Sequence, residues 1–279
     1  MILIADCGST KADWVLLDGE KVARQFTADG FNPNFCDMDF ISSMTLNDIC
    51  QNIDIECIEK LFFYGTGCGN PSNVEKMKKV LSGIFKCSEI EVFSDILGSC
   101  HSLFGHEPGI ACILGTGSNA CLYNGRDIEK NAVSLGYLLG DEGSGCHIGK
   151  KIVHDYFYGI MPEDLRRNFD SDYEIDRNTL IAKVYKNPQP SKYLASFSKF
   201  ANMHIDNQYI VNLVSDCFDE FVKYFIIPLT KNGECNDVGF IGSVAFYFQD
   251  ILRERLAQHG LSCGEIVKNP MDGLVRFYS

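Results

Sequence analysis

Two short stretches with the same organisation decide how this chain is interpreted: IADCGST at residues 4–10 and ILGTGSN at residues 113–119. Each continues an apolar run through a glycine-containing turn into a second apolar run, which predicts a β-hairpin in both places. When the two stretches are aligned, Gly8 matches Gly117 and Ser9 matches Ser118. Because the two hairpins lie about one small domain apart along the chain, the match indicates an internal duplication.

The composition is that of a globular protein with a sizeable core. The 279 residues suffice for two domains, and 46% of them are hydrophobic against 22% charged. A formal net charge of -12 argues against nucleic acid or anionic membranes as partners, although backbone N–H groups can still hold a phosphate. The 13 cysteines include no Cys-x-x-Cys pair, which favours reduced thiols over disulfides or zinc sites. The N-terminus lacks the regions of a signal peptide and no run is as long as a membrane span, so we expect a soluble, cytoplasmic protein.

Strand and helix patterns alternate along the whole chain. In the first half, strands are predicted at 2–5, 12–17, 22–27, 61–64 and 90–93, and helices at 72–85 and 96–104. In the second half, strands are predicted at 109–114, 120–123 and 238–241, and helices at 145–158, 209–229 and 244–259. This pattern predicts an α/β protein with two domains, residues 1–107 and residues 108–279.

The two turns have the residues that phosphate binding requires. Gly8 and Gly117 allow close approach of the backbone, and hydroxyl donors are available beside them. Asp6 ends the first strand, where a carboxylate can hold a magnesium ion through water. Lys11 either reaches a phosphate or stays solvated. The pattern is neither a Walker P-loop nor a Rossmann motif, because the lysine spacing is absent and a strand follows each turn.

Other polar residues lie at the ends of predicted strands. Asp95 ends a strand and begins a helix, so it is either a carboxylate that accepts a proton from a substrate hydroxyl or a helix N-cap. Asp141 lies among glycines before a helix and suits either sugar hydroxyls or helix capping. The loops at 30–34 and 65–67 either bind polar substrate groups or simply make turns. A tight turn at 242–243 is compatible with contact to an adenosine.

Four motifs in this order resemble one family: Asp-x-Gly-x-Thr at residues 6–10, GTGSN at 115–119, GDEGS at 140–144 and Gly-Ser at 242–243. They resemble the N-acetylglucosamine kinase-like family, which is grouped with the activator ATPases of benzoyl-CoA reductase in the actin, hexokinase and heat-shock-ATPase superfamily. The resemblance implies two ribonuclease H-like domains with mixed five-stranded sheets and an ATP cleft between them. The first turn departs from the family in having less glycine, with Cys7 and Ser9 beside Gly8.

The resemblance also implies roles for individual residues. Asp95 would be the catalytic base, and Asp6 would help to hold Mg²⁺. The implied nucleotide-binding residues are Gly8, Ser9, Thr10, Lys11, Thr116, Ser118, Gly242 and Ser243. The implied amino-sugar contacts are Asn34, Thr66, Gly67, Gly117, Asn119 and Asp141.

Three functions are compatible with this resemblance. The first is an ATP-dependent kinase that phosphorylates a hydroxyl of N-acetylglucosamine or a related amino sugar, with ATP and Mg²⁺ as cofactors and a homodimer as the implied assembly. The second is an activator ATPase of the benzoyl-CoA reductase or 2-hydroxyacyl-CoA dehydratase type. The GTGSN and GDEGS motifs favour the kinase, because activators carry a Gly-Gly-Gln-Asp turn instead. The third is a non-catalytic sugar sensor. The retained Asp6, Thr10, Asp95 and Asp141 argue against it.

Overall fold

Two mixed five-stranded sheets organise the chain in the computed structural model, which describes residues 1–9, 11–34, 36–187, 189–230 and 237–279. The first unit comprises Met1–Glu107 together with Pro270–Ser279, and the second comprises Pro108–Asn269. Both sheets and the α/β class were predicted from the sequence, and the structure confirms them.

The first unit contains five strands, three helices and the C-terminal helix. Its elements are β1 (Ile2–Cys7), β2 (Lys11–Asp18), β3 (Lys21–Asp29), α1 (Met38–Cys50), β4 (Lys60–Gly65), α2 (Pro71–Ile84), β5 (Glu89–Ser94), α3 (Asp95–Phe104) and α13 (Met271–Tyr278). A single 3₁₀ turn at Ile55–Cys57 precedes β4.

The second unit contains five strands and a long helical insertion. Its elements are β6 (Pro108–Leu114), β7 (Ser118–Asn124), β8 (Ile128–Asn131), α4 (Gly136–Leu139), α5 (Gly145–Phe157), α6 (Glu163–Asp172), α7 (Arg177–Tyr185), α8 (Pro190–Ser196), α9 (Ser198–Met203), α10 (Gln208–Phe221), β9 (Val238–Ile241), α11 (Ser243–Tyr247), α12 (Gln249–Gln258) and β10 (Cys263–Val267).

The two sheets have the same topology. The strand order is β3-β2-β1-β4-β5 in the first and β8-β7-β6-β9-β10 in the second. In each sheet the central strand pairs antiparallel with the next strand of its hairpin and parallel with a later strand. β1 therefore corresponds to β6, and the two glycine turns lie at corresponding positions.

The first sheet is buried on both faces, which explains why β1 is apolar at nearly every position. Leu3 and Ala5 belong to a core cluster that includes residues of α1 and α2. Ile4 belongs to a second cluster on the opposite face, together with Met271 and Leu274 of α13.

This second cluster corrects the predicted domain limits. The predicted second domain includes residues 270–279, but the structure groups them with the first unit. Met271 and Leu274 are fully buried there, and Tyr278 stacks on Phe62 with ring centroids 4.1 Å apart. The Ser102 hydroxyl also donates to the Pro270 carbonyl oxygen at 2.8 Å. The apolar face of α13 is therefore covered by the first sheet and α3.

Two predicted helices of the second unit differ in detail. The predicted helix at 209–229 consists of α10, a π-helical turn at Val222–Ile226 and a 3₁₀ turn at Ile227–Leu229. Pro228 lies in that last turn, where it lacks the N–H that an α-helix would use. The predicted helix at 244–259 is interrupted at Phe248, whose φ of -109° and ψ of 23° separate α11 from α12.

Within the described residues, no helix is long and apolar enough to cross a membrane. The described cysteines are all free thiols, and most of them are buried or half-buried.

Candidate functional site

The first glycine turn joins β1 to β2 and is closed by its own backbone. The Gly8 N–H donates to the Lys11 carbonyl oxygen at 2.9 Å. Ser9 is exposed at the tip, and Thr10 lies outside the described residues. The Lys11 side chain is 56% exposed, and its Nζ lies 2.7 Å from Asp13 Oδ1. Lys11 is therefore paired with a carboxylate two residues further along β2.

Three carboxylates lie at this end of the first sheet. Asp6 and Asp13 are direct neighbours on β1 and β2. Burial, together with the negative charges of Asp95 and Asp13, raises the pKa of Asp6 to about 7 against the opposing effect of Lys11. Asp6 is thus a carboxylate whose charged form lacks sufficient compensation from the protein itself.

Asp95 is held by hydrogen bonds at the junction of β5 and α3. Its Oδ1 accepts from the Ile96 N–H at 2.8 Å, and its carboxylate also accepts from the Thr66 hydroxyl. Burial nevertheless raises the pKa of Asp95, and these hydrogen bonds, with one from its own N–H, only oppose the rise. Ser94 is the N-cap of α3, with its Oγ accepting from the Leu97 N–H. The capping role that the sequence left open for Asp95 therefore belongs to its neighbour.

A polar network surrounds the loop that contains Asn34. The buried Asn73, on α2, donates through Nδ2 to Asn34 Oδ1 at 2.7 Å and to the Gly67 carbonyl oxygen at 2.9 Å. The Asn34 N–H donates to Asn32 Oδ1 at 2.9 Å. Asn34 itself is exposed, so its side chain is accessible. The hydrogen bond from the buried Asn73 orients it.

The second glycine turn joins β6 to β7 and lies against the start of α5. The Gly145 N–H donates to the Gly115 carbonyl oxygen at 2.8 Å, and the Cys146 N–H donates to that of Thr116 at 3.1 Å. Thr116 is exposed, whereas the Ser118 Oγ is buried without a hydrogen-bond partner. Asn119 Oδ1 accepts from the Ala120 N–H at 2.9 Å. The turn therefore keeps one hydroxyl without a partner.

Asp141 folds back onto this turn. The N–H of Ser118 lies 3.5 Å from Asp141 Oδ1, and a Cβ placed on Gly117 would lie only 2.9 Å from Asp141 Oδ2. Burial raises the pKa of Asp141. Asp141 has a φ of 58°, and it is the single non-glycine residue with positive φ among the described residues. Strained backbone of this kind is concentrated at functional sites. Since Ser144 is the N-cap of α5, Asp141 does not cap that helix.

His147 supports the loop after Asp141. Its Nδ1 accepts from the Gly143 N–H at 3.1 Å, which requires a neutral imidazole. Burial lowers the pKa of His147 to about 4, opposed by Glu220 and assisted by Lys151 and Lys150. The neutral form is therefore the form that the fold needs.

The Gly242-Ser243 turn follows β9, next to the second glycine turn. Gly242 has a φ of 124°, and a Cβ there would lie 2.3 Å from the Leu114 carbonyl oxygen. Only glycine is compatible with both the dihedral angle and this approach. Ser243 is exposed at the start of α11.

A solved structure from Porphyromonas gingivalis, a presumed N-acetylglucosamine kinase, is 37% identical to this chain and has a TM-score of 0.94. The match covers 100% of this chain and 98% of that one. The chain belongs to the N-acetylglucosamine kinase-like family.

More distant solved structures share the fold. A presumed N-acetylglucosamine kinase from Chromobacterium violaceum is 15% identical, with a TM-score of 0.76 over 100% of this chain and 98% of that chain. A ROK family glucokinase from Streptomyces griseus, in complex with glucose and AMPPNP, is 13% identical, with a TM-score of 0.54 over 99% and 97%. No protein-family model matches the chain, and no curated protein matches it. As a member of the N-acetylglucosamine kinase-like family, the chain has an actin- and hexokinase-type ATPase fold.

The predicted site residues form two groups, one in each unit. The first contains Asp6, Gly8, Ser9, Lys11, Asn34, Thr66, Gly67 and Asp95. The second contains Thr116, Gly117, Ser118, Asn119, Asp141, Gly242 and Ser243. The prediction that a single nucleotide contacts both glycine turns stays a prediction. Within the described ranges, no three His, Cys, Asp or Glu side chains lie close enough to hold a metal ion together.

Asn73 is the residue of this region that the sequence did not indicate as functional. A signal was present, because Asn73 occupies the apolar face of α2 with Met77 and Leu81 at four-residue spacing. A polar residue on such a face has to have hydrogen-bond partners inside the protein.

Proposed function

We propose that this protein is an ATP-dependent kinase that phosphorylates a hydroxyl of N-acetylglucosamine or a related amino sugar. The observation that carries the proposal is Asp95. In a chain of this family, it is a carboxylate with a raised pKa that directly follows β5 and is not the N-cap of α3. The proposal places Asp95 as the catalytic base.

The surroundings of Asp95 suit a general base. Hydrogen bonds from the Ile96 N–H, the Thr66 hydroxyl and its own N–H hold the carboxylate in one orientation. A carboxylate with a raised pKa accepts a proton more readily than an ordinary aspartate at neutral pH. In a sugar kinase, this group orients the acceptor hydroxyl and takes its proton as the γ-phosphoryl group is transferred.

The residues around Asp6 fit a magnesium ion. A buried carboxylate whose pKa is raised by two neighbouring carboxylates is stabilised by a divalent cation, and Mg²⁺ is commonly held by one or two carboxylates and several waters. Asp6 would hold it, and when bound the ion would neutralise charge on the phosphates.

For the nucleotide, we assign the phosphates to Gly8, Ser9, Thr10, Lys11, Thr116 and Ser118, and the adenosine to Gly242 and Ser243. The unpartnered Ser118 hydroxyl and the close backbone packing at Gly242 support these roles. For the sugar, we assign Asn34, Thr66, Gly67, Gly117, Asn119 and Asp141. We also propose that the protein is cytoplasmic and forms a homodimer.

The deciding experiment is coupled ADP release across a panel of amino sugars, with a reaction that lacks sugar as the control. Release that depends on N-acetylglucosamine or a close relative supports the kinase. Release that is independent of every sugar would instead support the activator ATPase. ADP release in neither reaction, together with sugar binding, would support the non-catalytic sensor.

A further inference from the structure

The buried Asn73 makes hydrogen bonds to the side chain of Asn34 and to the backbone of Gly67. Asn73 is 4% exposed and projects from the apolar face of α2. Its Nδ2 contacts two different acceptors, the Gly67 carbonyl oxygen at 2.9 Å and the side-chain amide of Asn34 at 2.7 Å. An amide nitrogen has two hydrogens, so both contacts are satisfied at once.

The backbone carbonyl determines the direction of the whole chain of hydrogen bonds. The Gly67 oxygen can only accept, so the atom of Asn73 that faces it must be the nitrogen. The same nitrogen then needs an acceptor on Asn34, which is Oδ1. The Nδ2 of Asn34 consequently points away from Asn73 and is available as a donor on an exposed residue.

We infer that Asn73 is a positioning residue that holds Asn34 as a hydrogen-bond donor toward an acceptor oxygen of the sugar. This inference rests on the proposed function. The ligand group is an oxygen with a free lone pair, such as a hydroxyl or acetamido carbonyl oxygen. A group that offers only N–H, such as a protonated amine, does not satisfy this donor.

The orientation of Asn34 is tested by Asn34→Asp, measured with a sugar that the wild type phosphorylates. Aspartate keeps an oxygen for Asn73 to donate to, and it removes the outward N–H₂. We expect the protein to unfold at the wild-type temperature or above, while KM for the sugar rises about tenfold or more and KM for ATP stays within about twofold. An unchanged KM for the sugar overturns the inference, because it would mean that Asn34 presents an oxygen.

The role of Asn73 is tested by a double-mutant cycle. Asn73→Ala and Asn34→Ala are measured singly and together. If Asn73 acts through Asn34, the double variant has the same KM for the sugar as Asn34→Ala alone, even though its thermal stability is lower. Additive effects on KM overturn the inference.

Asn73→Asp, which is nearly isosteric, replaces the alanine variant if that variant does not fold. Its carboxylate cannot donate to Gly67 or Asn34, so KM for the sugar is expected to rise at neutral pH. Protonation supplies only one O–H for these two acceptors, so the recovery at low pH is expected to be partial.

Asn70→Ala is the matched control on the same helix. Asn70 is the N-cap of α2 and its side chain accepts from the Ser72 N–H at 2.9 Å, so Asn70→Ala should lower the unfolding temperature without removing a contact to Asn34. KM for the sugar should stay at the wild-type value, and a rise equal to that of Asn73→Ala would overturn a positioning role.

A wild type that neither phosphorylates nor binds any sugar overturns the proposed function and this inference together. An active wild type with an unaffected Asn34→Asp variant overturns the inference alone.

Discussion

The two glycine turns lie at corresponding positions of two sheets that share the same topology, yet their chemical surroundings differ. The first is surrounded by Asp6, Asp13 and Asp95. The second offers hydroxyl and amide groups from the turn itself, and its carboxylate, Asp141, arrives from a separate loop. The duplicated scaffold therefore determines where a turn is placed, and the side chains added to each copy determine its chemistry. In the proposed kinase, the first turn serves proton transfer and the metal ion, whereas the second serves recognition.

The largest expected difference between the regions is in catalysis. Asp95→Asn should lower kcat by about 100- to 10,000-fold, the range for loss of a general base, because an amide cannot accept the proton. Asp141→Asn should act mainly on KM for the sugar, because Asp141 is assigned to binding. Both are measured by coupled ADP release at saturating ATP. Intact kcat in Asp95→Asn would remove the proposed difference between the two regions.

The glycines of the two turns should respond unequally to alanine. A Cβ on Gly117 would lie 2.9 Å from Asp141 Oδ2, whereas one on Gly8 meets only the Lys11 carbonyl oxygen at 3.4 Å. We expect Gly117→Ala to displace Asp141 and lower kcat/KM for the sugar about tenfold, which corresponds to about 1.4 kcal/mol. Gly8→Ala should leave that ratio near wild type, so any effect should be on KM for ATP. Equal losses in sugar kcat/KM would show that the close contact at Gly117 has no role.

The two units should also respond to pH with opposite signs. The folded pKa of Asp6 is raised from 3.8 to about 7, so its contribution to stability is present below pH 3.8 and is lost as pH rises through about 7. The folded pKa of His147 is lowered from 6.5 to about 4, so its contribution is present above pH 6.5 and is lost as pH falls through about 4.

Thermal unfolding across pH, without divalent cations, measures both effects. Asp6→Asn should unfold a few degrees above the wild type at pH 8 and lose this advantage near pH 4. His147→Gln should lose the acid-dependent decrease between pH 6.5 and 4, because glutamine does not titrate. A decrease in the unfolding temperature of Asp6→Asn at pH 8 would contradict the unfavourable charge at Asp6.

The smallest expected effect concerns the serines of the two turns. The Ser118 hydroxyl is buried without a partner, so Ser118→Ala should change the free energy of unfolding by no more than about 0.5 kcal/mol. If this hydroxyl binds the nucleotide, KM for ATP rises in Ser118→Ala, with Ser9→Ala as the comparison in the first turn. Chemical denaturation and ATP titrations measure the two quantities. A destabilisation above about 1 kcal/mol would indicate an internal partner for Ser118.

Much of the first unit could be predicted because its signals are local. Strands β1, β2 and β4 are apolar runs that end at turns, and α2 has an apolar stripe, so periodicity alone indicated them. Two features could not be predicted from the sequence, for the same reason. Asn73 looks like an ordinary helix residue until Asn34 and Gly67 are brought beside it, and α13 follows β10 in sequence but finds its apolar cover on the first sheet.

By itself, the sequence determined the two hairpins, their duplication, the α/β class and the candidate carboxylates, because these depend on residue types within a few positions of one another. Only the tertiary structure decided what each carboxylate does locally. Ser94 and Ser144, rather than Asp95 and Asp141, cap the helices that follow, and this leaves both carboxylates available. Burial and the charges of residues distant in sequence raise the pKa of Asp6. Burial and pairing depend on which segments meet in the fold, and no local pattern records that.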